Sequence, residues 1–299
     1  MIGLPLRLGV HVSIAGGIEK SVERAKELGC SAMQIFSRNP RSWQSPPLAP
    51  RSVRAFQEAA ARSDIKPIVI HTPYLLNLAS GDGRLHRRSM KVLSQDLKRA
   101  GDLGAHFLVT HLGSGKENSP AFSRRQVVKA LKRIMEENSP VSLLLENSAG
   151  AGQTVGASLE EIAEIIGGTG RDPRLGFCFD SCHGFAAGYD FRSEEKSEAL
   201  AEKMDLTVGL ERLRLFHFND CSAALGSHLD RHQHIGKGEI GLEGFRSLLR
   251  QRTFQRIPII LETPKKGPKD DLKNLSRIRS VFHLIRQERT GRKPLASQA

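Results

Sequence analysis

The chain has 299 residues, 39% of them apolar and 26% charged, which suffices for a large packed core and excludes disorder as the default state. Four cysteines (Cys30, Cys178, Cys182, Cys221) are too few for a disulfide framework, no apolar run approaches a membrane span, and the start lacks a signal-peptide pattern. A cytoplasmic location is therefore expected, and the formal net charge of +13 favours a polyanionic partner such as nucleic acid.

Eight strand-like runs follow one another: Leu6–Ser13, Ala32–Ser37, Pro67–His71, Phe107–His111, Val141–Glu146, Leu175–Asp180, Leu213–His217 and Ile257–Glu262. A helix-period stretch follows each, as repeated βα units with right-handed crossovers require. Ser123 with Gln126 and Ser158 with Glu161 read as capping boxes ahead of two of these helices. No linker interrupts the series, so the expected fold is α/β, a (β/α)8 TIM barrel over residues 1–287 with a basic tail at 288–299. An open doubly wound sheet is disfavoured, because no Gly-x-Gly-x-x-Gly turn follows the first strand.

In such a barrel the strand C-termini converge on one face. Here they would gather His11, His71, His111, Glu146, Asp180 with nearby His183, His217 and Glu262, joined by Asp230 and His232 from a long loop after the seventh strand. Imidazoles and carboxylates are ligands for zinc-like ions, and so many in one place exceed the needs of a single tetrahedral site. Two or three divalent ions are the simpler account, and clustered ions suit phosphate-ester hydrolysis. Taken singly, each residue has a plainer explanation: Asp180 capping the next helix, Glu146 pairing with an Arg, a histidine merely hydrogen-bonded. Cys178 and Cys182 read as core fillers, His86, His106 and His283 carry no role, and His228 and His234 fall outside the ligand set.

The stretches His71-Thr72-Pro73-Tyr74-Leu75-Leu76-Asn77-Leu78, Leu145-Glu146-Asn147-Ser148-Ala149-Gly150, Phe179-Asp180-Ser181-Cys182-His183-Gly184, His217-Phe218-Asn219-Asp220, Gly226-Ser227-His228-Leu229-Asp230-Arg231-His232 and Leu261-Glu262-Thr263 resemble the endonuclease IV family. These are metal-dependent apurinic/apyrimidinic endonucleases. The resemblance implies a trinuclear zinc site, with Mn2+ or Fe2+ possible at some positions. His71, His111 and Glu146 would hold one ion; Glu146, Asp180, His217 and Glu262 a second; His183, Asp230 and His232 a third. Glu146 and Glu262 are the candidate catalytic carboxylates. The implied reaction is hydrolysis of the phosphodiester 5′ to an abasic deoxyribose, giving a 3′-hydroxyl and a 5′-deoxyribose phosphate, with trimming of blocked 3′ ends. The implied partner is double-stranded DNA carrying such lesions, acted on by a monomer. Arg41, Tyr74 and Leu75 would contact the DNA, with Trp43 an even choice between DNA contact and packing. Cys221-Ser222 departs from the family, which usually places a small residue and then Lys there. A metal-dependent sugar isomerase or epimerase is the rival reading.

Overall fold

The structure, a computed structural model, describes residues 5–116 and 118–290. Eight parallel strands form its centre: β1 (Leu8–Val10), β2 (Met33–Phe36), β3 (Ile68–His71), β4 (Phe107–Thr110), β5 (Ser142–Glu146), β6 (Leu175–Asp180), β7 (Leu213–His217) and β10 (Ile259–Leu261). They pair in the order β1-β10-β7-β6-β5-β4-β3-β2. The ring closes where His11 bridges to Gln34 and the Val12 N–H donates to the Gln34 carbonyl at 2.7 Å. This is the expected barrel. The remaining strands, β8 (Asp220–Cys221) and β9 (His232–Gln233), form a separate antiparallel ribbon in the loop after β7.

Around the barrel run α1 (Lys20–Glu27), α2 (Pro50–Ala61), α3 (Gly83–Asp102), α4 (Pro120–Met135), α5 (Leu159–Gly168), α6 (Ser181–Ala186), α7 (Glu194–Thr207), α8 (Gly241–Arg250) and α9 (Asp270–Thr290). Ser158 caps α5 as expected, accepting from the Glu161 N–H at 3.1 Å, but the Glu161 carboxylate turns to the Gly156 N–H instead of closing the box. The other box is corrected. The cap of α4 is Ser119, followed by Pro120 in the first turn, which leaves Ser123 inside the helix. Helix α9 runs on through Thr290, with Glu288 paired to Arg250 at 2.7 Å, while 291–299 of the expected tail lie outside the described residues. Among the described residues no helix is long and apolar enough to cross a membrane.

Strand periodicity divides the core in two. One set of side chains, including Leu145, Phe177, Phe179 and Phe216, packs outward against the helices. The other set, Ala32, Val69, Val109, Leu144, Cys178, Leu215 and Ile260, forms a separate apolar plug. Gly9 takes the equivalent position on β1, level with Ile260, and a Cβ there would lie 1.8 Å from the Ala32 carbonyl oxygen. Backbone approaches too closely at that point for any other residue. Two residues beyond each plug position the chain again faces the barrel axis, now at the mouth. Those residues are His11, Gln34, His71, His111, Glu146, Asp180, His217 and Glu262.

Candidate metal centre

The mouth gathers the expected side chains into three groups, within each of which the donor atoms lie within 4.8 Å of one another: His71, His111 and Glu146; Glu146, Asp180, His217 and Glu262; and His183, Asp230 and His232. Glu146 belongs to two of them. A further grouping, Asp180, Cys182 and His232, shows that the Cys182 thiol also reaches the edge of the cluster. Six residues come from, or just past, barrel strands. His183 comes from the first turn of α6, and Asp230 and His232 come from the ribbon loop.

Four histidines share one arrangement. His71 Nδ1 lies 2.7 Å from the Thr72 carbonyl, His183 Nδ1 3.0 Å from the Asn147 carbonyl, and His232 Nδ1 3.1 Å from the Glu262 carbonyl. His217 uses Nε2 instead, 2.9 Å from Gln34 Oε1. Each of these nitrogens must donate, since its partner only accepts, and this fixes the ring. The opposite nitrogen then faces carboxylates: His71 Nε2 is 3.0 Å from Glu146, His217 Nδ1 is 2.9 Å from Glu146 and 3.4 Å from Glu262, and His183 Nε2 is 3.2 Å from Asp230. His232 Nε2 is buried without a hydrogen-bond partner. In a neutral ring these nitrogens present lone pairs to carboxylate oxygens, which repel unless a proton or a cation stands between them. That donor chemistry fits divalent ions.

Three residues that the strand-end reasoning passed over hold the carboxylates. Gln34 donates to Glu262 Oε1 at 2.5 Å, and His11 Nδ1 lies 3.3 Å from the same oxygen. Asn219 donates to Asp180 Oδ2 at 2.6 Å and accepts from the Glu262 N–H at 2.7 Å. Asn147 clasps the Asp180 backbone on both sides, at 2.7 and 3.1 Å. The signal was present: a glutamine inside an apolar strand, and asparagines immediately beyond Glu146 and two beyond His217. Asp180 divides its oxygens. Oδ1 accepts from the His183 N–H at 2.8 Å as the cap of α6, and Oδ2 turns to the cluster.

Charge in the cluster is strongly coupled. Burial opposes a proton on His183, but Asp180, Asp230 and Glu146 outweigh it and push its pKa up to about 10. His71 is raised for the same reason, burial being outweighed by Glu146. Burial works against charge on Glu146, yet His111 and His217 hold it well below the carboxylate range. Without ions, therefore, protons do the neutralising, and an incoming ion must displace them. Metal affinity is expected to rise with pH up to about 10, with protons released on binding. Calorimetry in buffers of different ionisation enthalpy measures this, and uptake without proton release would contradict the arrangement. A raised imidazole stabilises the metal-free fold fully below 6.5 and loses that contribution as pH climbs through about 10, so the metal-free Tm should fall across that window.

The mouth opens into a cavity of about 950 Å3 rimmed by Arg38, Asn39, Pro40, Tyr74 and Lys265. Tyr74 is 64% exposed and meets Phe36 edge-on at 5.3 Å. Leu75 beside it is half-buried, and Arg41 is exposed at the tip of the loop after β2. Trp43 packs against the core with the Arg88 guanidinium 4.4 Å above its ring, which favours the packing role. His86 and His106 bond to backbone away from the site, and His228 and His234 serve the loops around it.

Comparison with known proteins places the chain in a family. Residues 22–281 match the family described as xylose isomerase-like TIM barrel. The chain is 44% identical over 276 residues to a probable endonuclease 4 of Methanoculleus marisnigri, covering 92% of this chain and 98% of that one. The crystal structure of endonuclease IV from Thermus thermophilus superposes with a TM-score of 0.82 at 40% identity, covering 93% and 99% of the two chains. A D-tagatose 3-epimerase-like protein superposes at 0.74 with 22% identity over 95% and 99%, a likeness of fold alone. With identity of this order along nearly its whole length, the chain belongs to the endonuclease IV family of xylose isomerase-like TIM barrels.

Proposed function

We propose that this protein is a DNA-repair endonuclease that hydrolyses the phosphodiester 5′ to abasic sites, leaving a 3′-hydroxyl and a 5′-deoxyribose phosphate, and that also trims blocked 3′ ends. The observation that carries the reading is the set of three donor groups at one mouth, with imidazole nitrogens turned towards carboxylates. Zinc is the proposed metal, three ions per chain, held by His71, His111 and Glu146; by Glu146, Asp180, His217 and Glu262; and by His183, Asp230 and His232. When bound, the ions supply Lewis acidity, a water acidic enough to react near neutral pH, and charge neutralisation on the phosphate.

The chain's own residues set the geometry. Glu146 links two groups and fixes their separation. Gln34 and His11 hold Glu262 in one orientation, as second contacts to a ligand do. Tyr74 lines the rim, with Leu75 next to it and Arg41 on the loop whose Asn39 and Pro40 also line it; an extruded nucleotide would leave a gap there, a flat ring and a long cation can replace its stacking, and an abasic site is cheap to unstack. Ser222 stands where the family usually has a lysine; the cations lining the cavity are Arg38 and Lys265, the latter bonded to the His11 carbonyl. The sugar-epimerase reading has the barrel in its favour. It leaves His183, Asp230, His232 and the basic surface without a role.

A duplex with one abasic analogue, incubated with the metal-loaded protein before and after chelation, tests the function. Incision beside the lesion that chelation abolishes is expected; no incision with metal bound would sink the proposal. Arg41→Ala combined with Tyr74→Ala should weaken lesion binding by roughly tenfold or more with metal content unchanged, since stacking contributes about 1–3 kcal/mol per contact. Loss of metal in that variant would mean these residues support the centre instead.

A further inference from the structure

The chain's positive charge is not spread evenly. Helix α3 carries six Lys and Arg (Arg84, Arg87, Arg88, Lys91, Lys98, Arg99) against two Asp, and α4 carries five (Arg124, Arg125, Lys129, Lys132, Arg133) against none, so these two hold +9 of the net +13. Next to α4 around the barrel, α5 has three Glu and no base, and α7 has five acids against two Lys, together −6. First turns prefer acids, as α5 and α7 have with Glu160, Glu161, Glu194 and Glu195, whereas α3 and α4 have none there and α3 places Arg84 in its first turn.

Lys91, Arg125, Lys129 and Lys132 form no ion pair among the described residues. Two grooves lie on this face, one beside α3 and one along α4. One, lined by Arg88 and Lys91, runs beneath the Ser42–Pro46 stretch next to Arg41. The other, about 810 Å3, runs along α4, where Arg125, Lys129, Lys132 and Arg133 line it; Met90 of α3 closes one side, and Glu136 with Glu164 of α5, the latter paired to Arg124 at 2.8 Å, marks its acidic edge. Helix α3 also grips that loop at both ends, since Arg99 donates to Ser37 Oγ at 3.0 Å and to the Pro46 carbonyl at 2.9 Å. Barrel helices run back from the strand C-termini, so this basic face begins at the mouth and continues down the side.

We infer that the α3–α4 face carries a second stretch of duplex DNA, the arm flanking the lesion, outside the cleft. This rests on the nucleic-acid reading of the mouth. A duplex presents paired rows of phosphates, which unpaired cations along a groove match, and the acidic α5–α7 sector repels the same arm and so directs it. The 20 residues of α3 span about 30 Å, the length of roughly nine base pairs.

The test uses the metal-loaded full chain with Arg125→Glu, Lys129→Glu and Lys132→Glu combined, three exposed positions away from the mouth. Two abasic duplexes are compared, one with arms of about five base pairs and one with arms of about twenty. The variant should raise KM about tenfold or more on the long-armed duplex at low salt, leave kcat and the short-armed KM within about twofold, and lower the salt slope for undamaged long duplex by about two to three. Equal behaviour of variant and parent on both duplexes overturns the inference, as does an equal loss on both. Incision by the parent is not needed for the binding arm: a parent that binds undamaged duplex but cuts neither substrate counts against the repair reading alone, and one that does not bind it overturns this inference.

Discussion

Glu146→Gln is expected to lower kcat on an abasic duplex by on the order of 10^3-fold or more and to release the ions of two donor groups together. The substitution keeps shape and removes one charge. Glu146 is fully buried, its two oxygens lie 3.0 Å from His71 and 2.9 Å from His217, and it is the member common to both groups. Without its charge the first group loses its only carboxylate, and the second keeps Asp180 and Glu262 but loses the link to the first. Duplex binding, which depends on the rim and the surface cations, should fall far less. Metal analysis beside single-turnover kinetics checks the pairing of effects; a variant that kept its full metal content and cut normally would remove Glu146 from the centre of the argument.

Gly9→Ala is expected to have the largest effect on the fold for the smallest change in composition. The added methyl would lie 1.8 Å from the Ala32 carbonyl oxygen, and that atom is backbone that cannot swing aside. The strands must part where the barrel closes, at a cost of about 3 kcal/mol or more. Urea unfolding of the metal-loaded variant measures it. The separation should also disturb the site, because His11 and Gln34, both bonded to Glu262, sit two residues beyond Gly9 and Ala32. A variant as stable as the parent would show that the ring closes without that approach.

These two residues also show how far the sequence could be read. Strand runs and their terminal His and carboxylate residues were visible because alternation along a strand places residues i and i+2 on one side, so a greasy plug and the polar group beyond it appear as a pattern in the chain. Barrel closure was not visible. Gln34 and Glu262 are bonded across 228 residues, and nothing local marks that meeting. For Asp180 the plainer explanation and the ligand reading both hold, since its Oδ1 supplies the cap that lets α6 begin at once while Oδ2 faces the cluster. The β8–β9 ribbon leaves no mark in the sequence, each strand having two residues and no apolar alternation. The cap of α4 moved because Ser119-Pro120 outcompetes Ser123: proline is pre-set for a first turn and cannot serve deeper in the helix.

The three donor groups differ in what supports them. The first two stand at the ends of strands whose hydrogen-bonded ladder and apolar plug form the most deeply buried part of the molecule. The third is assembled from one turn of a six-residue helix and a four-residue ribbon, with Asp230 largely open to water. Local opening free energies follow such differences in burial and backbone bonding. Amide exchange around Asp230 and His232 should therefore be faster than in β5 or β6 by orders of magnitude, and an ion at that corner would exchange with solvent without the barrel ever unfolding. A loaded centre would then have a permanent part and a renewable one, separated by the side chain of Asp180, which faces both.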